Sequence, residues 1–260
     1  MQKLKISYKL VKYYKPNASK QGKESKVDFI NRVRSESLVR QIVKVGDQKV
    51  IFGIEGPIIL NKGKFWSVSA EVENGYWGKH HILIFPSLKD ILSRNSCFIR
   101  LDSGCFSGMV LGDLTCDCCN QLRYSQNFIL KRGGVIIEIP AHDGRGWQDF
   151  KMANQRIMEE CKMDTITTAT SFYGDVENID CRTYSEAALI LKALGFPNGY
   201  QFDLGTKNPS KIISLVDAGF AVAAKAVEVE NLSNATKKNL QAKYKYWHIN
   251  KKEGKQHAIH

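Results

Sequence analysis

The chain has 260 residues, 43% of them hydrophobic and 25% charged, an ordinary globular composition with room for one large domain or two small ones. No apolar run approaches the roughly 18 residues that a bilayer span needs. The N-terminal MQKLKISYKL has neither a continuous apolar segment nor a small-residue cleavage site, so no membrane partner and a cytoplasmic location are expected. The net charge of +12 is uneven. Residues 1–50 carry 13 Lys/Arg against 4 Asp/Glu (+9) and residues 231–260 carry 7 Lys against 1 Glu (+6), which leaves −3 for the residues between. Basic ends read either as solvated extensions or as an electrostatic handle for RNA or another anion. The chain has no RNP, KH or zinc-knuckle pattern, so nucleic acid is not the favoured partner.

Residues 1–37 are polar and Lys-rich and read as a basic N-terminal extension. From about 38 the pattern becomes strand-like: VRQIVKV, KVIFGI and KFWSVSAEV alternate or run apolar, with GD and NKGK turns between them. HHILIFP and CFIRLDS continue in that style. After residue 119 the period changes. NQLRYSQNFILKRGG reads as a helix stopped by Gly133-Gly134, and GVIIEIPA as a buried strand. WQDFKMANQRIMEECKM and TYSEAALILKALGF follow as helices, YQFDLGT as a strand and SKIISLVDAGF as a helix. The predicted fold is α+β with an α/β-like second half, a β-rich first part packed against a mixed sheet with helices. Residues 38–230 form the expected folded domain, and 231–260 a basic tail or exposed helix.

Seven cysteines, an odd number, argue against a disulfide framework in a reducing compartment. Four crowd into Cys105-FSGMVLGDLT-Cys116-Asp117-Cys118-Cys119. Cys116 and Cys118 alternate on one tight segment, and Gly108 and Gly112 let the chain double back from Cys105. Three thiolates from Cys105, Cys116 and Cys118 would leave the fourth tetrahedral position of one Zn²⁺ open to water, as in catalytic sites. Two readings stand beside this one: a closed four-cysteine structural site that includes Cys119, and buried thiols without metal.

The run from Arg100 through Cys105, Cys116-Asp117-Cys118 and Gln121-Leu122 resembles GTP cyclohydrolase II, which opens riboflavin synthesis. The resemblance continues through Asp143-Gly144-Arg145, Asp164-Thr165, Asp180-Cys181-Arg182 and Thr206-Lys207-Asn208-Pro209-Ser210-Lys211, and spans roughly residues 60–225. It implies zinc on the three cysteines, one ion per chain, and Mg²⁺ with the triphosphate of GTP or a related purine nucleotide. It also implies a homodimer. Asp180 takes the place of the family's proton acceptor. Arg182 takes that of an arginine proposed to attack the α-phosphorus as pyrophosphate leaves. Arg100, Gln121, Asp143, Gly144, Arg145, Thr165, Thr206 and Lys211 fall at positions that hold phosphate, ribose or base. The residues themselves say less. Arg145 has the fork to grip a phosphate but also suits a surface turn, Asp180–Arg182 suits a helix-start salt bridge, and TKNPSK suits an ordinary strand–helix loop. His142 reads as a bystander.

The chain also departs from the family. Asp102-Ser103-Gly104 stands where His-Ser-Glu is usual, Asp143 replaces a glutamate, and Gly146-Trp147-Gln148-Asp149-Phe150-Lys151 replaces a Gly-Ile-Gly-Leu stretch with its later tyrosine. The expected reaction is zinc-dependent hydrolytic opening of the imidazole ring of GTP, with loss of formate and pyrophosphate to give a diaminopyrimidine ribosylamine phosphate. Alternatives are a paralogue that stops at the ring-opened formamide or takes another purine nucleotide in a specialised pathway. From another class comes a non-catalytic, zinc-stabilised module that binds nucleic acid or protein.

Overall fold

The computed structural model describes residues 27, 40–60, 63–140, 150–174, 180–227, 229 and 232–252. The extension over 1–37 therefore lies outside the described residues apart from residue 27, as do Asp143, Gly144, Arg145 and His142. The chain divides into two compact units: Met1–Asp102, Arg123–Pro140 and Thr183–Val227 make the first, and Ser103–Leu122, Ala141–Arg182 and Glu228–His260 the second. The interval 38–230 is thus shared between them.

The first unit is built on one eight-stranded sheet. Its strands are β1 (Gln41–Val45), β2 (Gln48–Leu60), β3 (Gly63–Val72), β4 (His80–Phe85), β5 (Ser96–Ser103), β6 (Gly134–Ile139), β7 (Gln201–Gly205) and β8 (Ala221–Lys225), in the order β1-β2-β3-β4-β6-β5-β7-β8. β1 to β4 form an antiparallel meander that β6 extends antiparallel to β4. Gly46, at φ 59°, supplies the left-handed residue that the two-residue turn between β1 and β2 requires. β5, β7 and β8 run parallel, with Ile99 opposite Leu204 and Leu204 opposite Ala224. The mixed sheet fits the α+β expectation, antiparallel first and α/β-like afterwards.

Helices α1 (Leu88–Leu92), α3 (Cys118–Arg132), α6 (Ser185–Ala193) and α7 (Pro209–Asp217) belong to this unit wholly or, for α3, from Arg123 onward. The core is Phe52, Phe65, Ile82, Ile84, Ile99, Leu101, Ile137, Phe202 and Leu204, all essentially inaccessible. β5 is buried along nearly its whole length, as expected of a strand covered on both faces, yet it carries Arg100 and Asp102.

The second unit holds α2 (Phe106–Met109), the first turn of α3, α4 (Phe150–Cys161), α5 (Thr165–Tyr173) and α8 (Asn234–Lys252). α5 packs against both α4 and α8. Among the described residues no helix is long and apolar enough to cross a membrane.

One polar lock joins α6 to the loop before β4. The buried Glu186 carboxylate accepts the amides of Tyr76 (2.6 Å) and Trp77 (3.2 Å), while Trp77 Nε1 donates to Thr183 Oγ1 (3.0 Å). Replacing Glu186 leaves the buried Trp77 amide without its acceptor and removes that of the Tyr76 amide. Glu186→Ala is expected to lower stability by roughly 2–3 kcal/mol, measured as a shift in the denaturant midpoint at unchanged slope.

Candidate metal centre and nucleotide site

The cysteine centre lies entirely in the second unit. Cys105 is the N-cap residue of α2, and that one-turn helix sets it opposite the loop that returns through Asp113 to Cys116. Cys118 opens α3, whose start is secured by Gln121 N donating to Asp117 O (2.8 Å). The three sulfurs of Cys105, Cys116 and Cys118 lie within 4.8 Å of one another, and those of Cys105 and Cys116 are 3.8 Å apart. Two thiolates bound about 2.3 Å from a tetrahedral zinc stand about 3.8 Å apart, so this spacing fits that ion. Cys119 is not among the converging donors, and among the described residues no other group of His, Cys, Asp or Glu converges in this way.

Gly108 makes the convergence possible. A Cβ there would overlap Cys116 Sγ and press on Cys105 Sγ at 3.3 Å. The sulfurs fill the space that a side chain would take.

A cation stands beside them. Lys151, on the first turn of α4, directs Nζ to Cys105 Sγ (3.0 Å), Cys116 Sγ (3.6 Å) and Ser107 Oγ, and to Asp113 Oδ2 at 3.4 Å. Asp113 Oδ1 in turn accepts Thr115 N (2.9 Å) and Thr115 Oγ1 (2.7 Å). Hydrogen bonds from Cys116 and Cys118, together with the Lys151 ammonium, hold the Cys105 thiol far below its ordinary range. The bond to Cys105 raises Cys116, and bonds to Cys105 and Cys116 raise Cys118. The Lys151 ammonium is the positive charge that faces the sulfurs, nearest to Cys105. Lys151 was not among the sequence-predicted site residues. It lies 46 positions after Cys105, and its spacing sets it apart from no other lysine of this basic chain.

The remaining predicted residues fall into two groups. In the first unit, Arg100, Thr206 and Lys211 lie at the carboxyl ends of β5 and β7, where parallel sheets gather ligands. Arg100 is buried and donates from Nε to Asp102 Oδ1 (3.0 Å) and from Nη1 to Gly205 O (2.8 Å). Lys211 is equally buried; its Nζ donates to Leu101 O (2.6 Å) and stands 5.2 Å from the centre of the Tyr184 ring. Thr206 Oγ1 accepts the amide of Asn208 (3.0 Å), and Asn208 caps α7 by accepting Ser210 N (2.9 Å). In the second unit, Gln121 Nε2 donates to Asp117 Oδ2 (2.5 Å). Thr165 opens α5 behind its cap Asp164, and Arg182 binds Asp180 through Nε (2.7 Å) and Nη2 (2.5 Å). That bidentate pair is the helix-start salt bridge that the bare residues also suggested. Asp143, Gly144 and Arg145 lie outside the described residues.

The GTP cyclohydrolase II family model matches residues 68–227. The chain belongs to the GTP cyclohydrolase II family. Over 137 residues it is 33% identical to a GTP cyclohydrolase-2 of Campylobacter fetus subsp. fetus, covering 53% of this chain and 66% of the relative. Over 155 residues it is 30% identical to a GTP cyclohydrolase-2 of Vibrio vulnificus, covering 60% of this chain and 72% of the relative. A probable monofunctional riboflavin biosynthesis protein RIBA 3, chloroplastic, of Oryza sativa subsp. japonica is 28% identical over 170 residues, 64% of this chain but only 30% of that protein's length. The family match takes in all three converging cysteines, Lys151 and Lys211, and ends before α8.

Two substitutions test the centre. Gly108→Ala is expected to weaken whatever metal uptake the wild type shows on incubation with Zn²⁺, read by elemental analysis, while circular dichroism stays that of the wild type. Lys151→Met is expected to slow alkylation of Cys105 in metal-free protein by roughly tenfold or more, because the ammonium no longer faces its sulfur. Peptide mapping after brief iodoacetamide treatment measures it.

Proposed function

We propose that the chain is a zinc-dependent hydrolase that opens the imidazole ring of GTP and releases formate and pyrophosphate, leaving a diaminopyrimidine ribosylamine phosphate. The observation that carries this reading is the convergence of three cysteine sulfurs at zinc-like spacing, with no fourth donor from Cys119. When bound there, zinc would act as a Lewis acid and make water a competent nucleophile at neutral pH. Everything else falls to the chain. Cys105, Cys116 and Cys118 hold the ion, one per chain, and Lys151 offsets the excess negative charge of three thiolates. Arg100 and Lys211 supply fixed positive charge for a nucleotide's phosphates, and Thr206, Thr165 and Gln121 supply polar contacts. Asp143, Gly144 and Arg145 act as further contacts by family analogy. The Asp180 carboxylate accepts a proton. Arg182, once released from Asp180, presents its guanidinium to the α-phosphate. Mg²⁺ accompanies the triphosphate, the assembly is a homodimer, and the protein works in the cytoplasm, where thiols stay reduced.

A second reading concerns how far the reaction goes. Asp102 stands where the family has a histidine, and it engages Arg100 directly. Gly104 removes the neighbouring carboxylate. A site with those changes next to Cys105 is compatible with release of the ring-opened formamide, or with a different purine nucleotide.

Incubating zinc-loaded protein with GTP and Mg²⁺ should give a steady loss of purine absorbance, and mass spectrometry of the product separates full deformylation from the formamide. Intact GTP and intact companion purine nucleotides after hours would sink the enzyme reading. Asp180→Asn is expected to cut turnover by about 10²-fold or more at unchanged zinc content, while Cys118→Ser removes zinc and turnover together.

A further inference from the structure

The C-terminal helix α8 lies beyond the family-matched residues, yet its first turns are bonded to the cysteine loop. Ser233 caps the helix: its Oγ accepts Thr236 N (2.9 Å) and its carbonyl accepts Lys237 N (3.0 Å). The Ser233 hydroxyl also donates to the carbonyl of Leu114. Thr236, a buried hydroxyl, donates to the same carbonyl at 2.6 Å. Asn239, one turn further on, donates from Nδ2 to the carbonyl of Thr115 at 2.8 Å. Leu114 and Thr115 are the two residues immediately before Cys116, and the Leu114 side chain is 72% exposed. The loop is therefore anchored by its backbone rather than by an apolar plug.

These bonds close a ring within the second unit. α8 packs on α5 and α5 packs on α4. α4 carries Lys151, which reaches Cys105, Cys116 and Asp113. Asp113 holds Thr115 by its amide and its hydroxyl, and Asp113 N is bonded to Ser107 O (3.0 Å). From Thr115 and Leu114 the ring returns to α8. Cys116 thus stands on a four-residue stretch held from one side by Lys151 and Ser107, and from the other by Thr236 and Asn239.

We propose that α8 is an arm of the metal centre, in which Thr236 and Asn239, assisted by Ser233, are positioning residues that fix the Cys116 loop and so set how tightly the sulfur triad retains its ion. The clause about the ion rests on the zinc reading above; the clause about the loop does not. A solvated tail would leave the Leu114 and Thr115 carbonyls to water. Here three side chains from one helix face take both, and one of the three is fully buried.

The test uses the full chain and the double variant Thr236→Val/Asn239→Leu, with Thr236→Ser as the conservative control that keeps the hydroxyl. Amide hydrogen exchange over residues 110–118 is followed by mass spectrometry in metal-free protein, and zinc release into a chromophoric chelator is followed in loaded protein. Two lost hydrogen bonds are expected to speed both processes roughly tenfold or more, with exchange over 150–174 unchanged and with Thr236→Ser behaving as wild type. Unchanged exchange over 110–118 overturns the arm. Faster loop exchange with unaltered zinc release overturns its hold on the ion. A wild type that takes up no zinc, while the double variant still loosens the loop, upholds the arm and defeats the metal reading instead.

Discussion

Three cysteine sulfurs within 4.8 Å of one another set the demand that the rest of the second unit answers. Ionised together without a cation, they would repel at distances where a few ångströms of low-dielectric surroundings cost several kcal/mol. The chain meets this in two ways. An opposite charge is supplied by the Lys151 ammonium, 3.0 Å from Cys105 Sγ and 3.6 Å from Cys116 Sγ. Steric room comes from Gly108, whose missing side chain is what allows the sulfurs to approach. A divalent ion would replace the thiol protons and find two of its three sulfurs already at a spacing that suits it. Lys151 and Asp113 would remain as its polar surround, in the manner of outer-shell groups that orient metal ligands.

The first unit solves a different electrostatic problem. Arg100 on β5 and Lys211 on α7 are cations with 5% and 4% exposure, set beside a core filled by Ile99, Leu101, Phe202 and Leu204. Burial of such charges is tolerable only when their donors are occupied. Asp102 and the Gly205 carbonyl do this for Arg100, and the Leu101 carbonyl with the Tyr184 ring face does it for Lys211. A well-packed apolar pair would often stabilise such a core at least as well. Net stability alone is therefore a weak reason for two buried cations in this core.

Much of this was legible in the sequence. Alternation and GD-type turns placed the antiparallel strands, and the Gly133-Gly134 stop ended α3 at Arg132. The cysteine spacing named the three sulfurs that the fold brings together. The misses have physical causes. α5, TITTATSFY, was not expected as a helix, because its β-branched threonines carry weak helical propensity and no clear apolar period. It forms behind a strong cap, with Asp164 taking the amides of Ile166 and Thr167, and packs against α4 and α8. Lys151 was invisible for a related reason. A lysine that serves as a long-range counter-charge has no local pattern; only the docking of α4 brings it to Cys105. The buried state of Lys211 was hidden in the same way, since TKNPSK reads as a surface loop until the carbonyl of Leu101 is seen beside it.

The boundary of the family match and the boundary of the working unit need not coincide. The matched residues end at 227, which is also where the sheet-bearing unit ends. The cysteine-bearing unit, however, resumes after that point and counts α8 as one of its helices. Similarity of sequence records which residues resist change across relatives, and a helix whose contribution is three side-chain bonds to backbone carbonyls imposes little on the partner's side chains. Leu114 and Thr115 offer carbonyls that every residue possesses, so the loop carries no mark of the helix that holds it. A segment attached in this way meets the loop before Cys116 through backbone carbonyls alone. For this protein the basic C-terminal stretch is therefore better understood by what Ser233, Thr236 and Asn239 grip than by the charge that first drew attention to it.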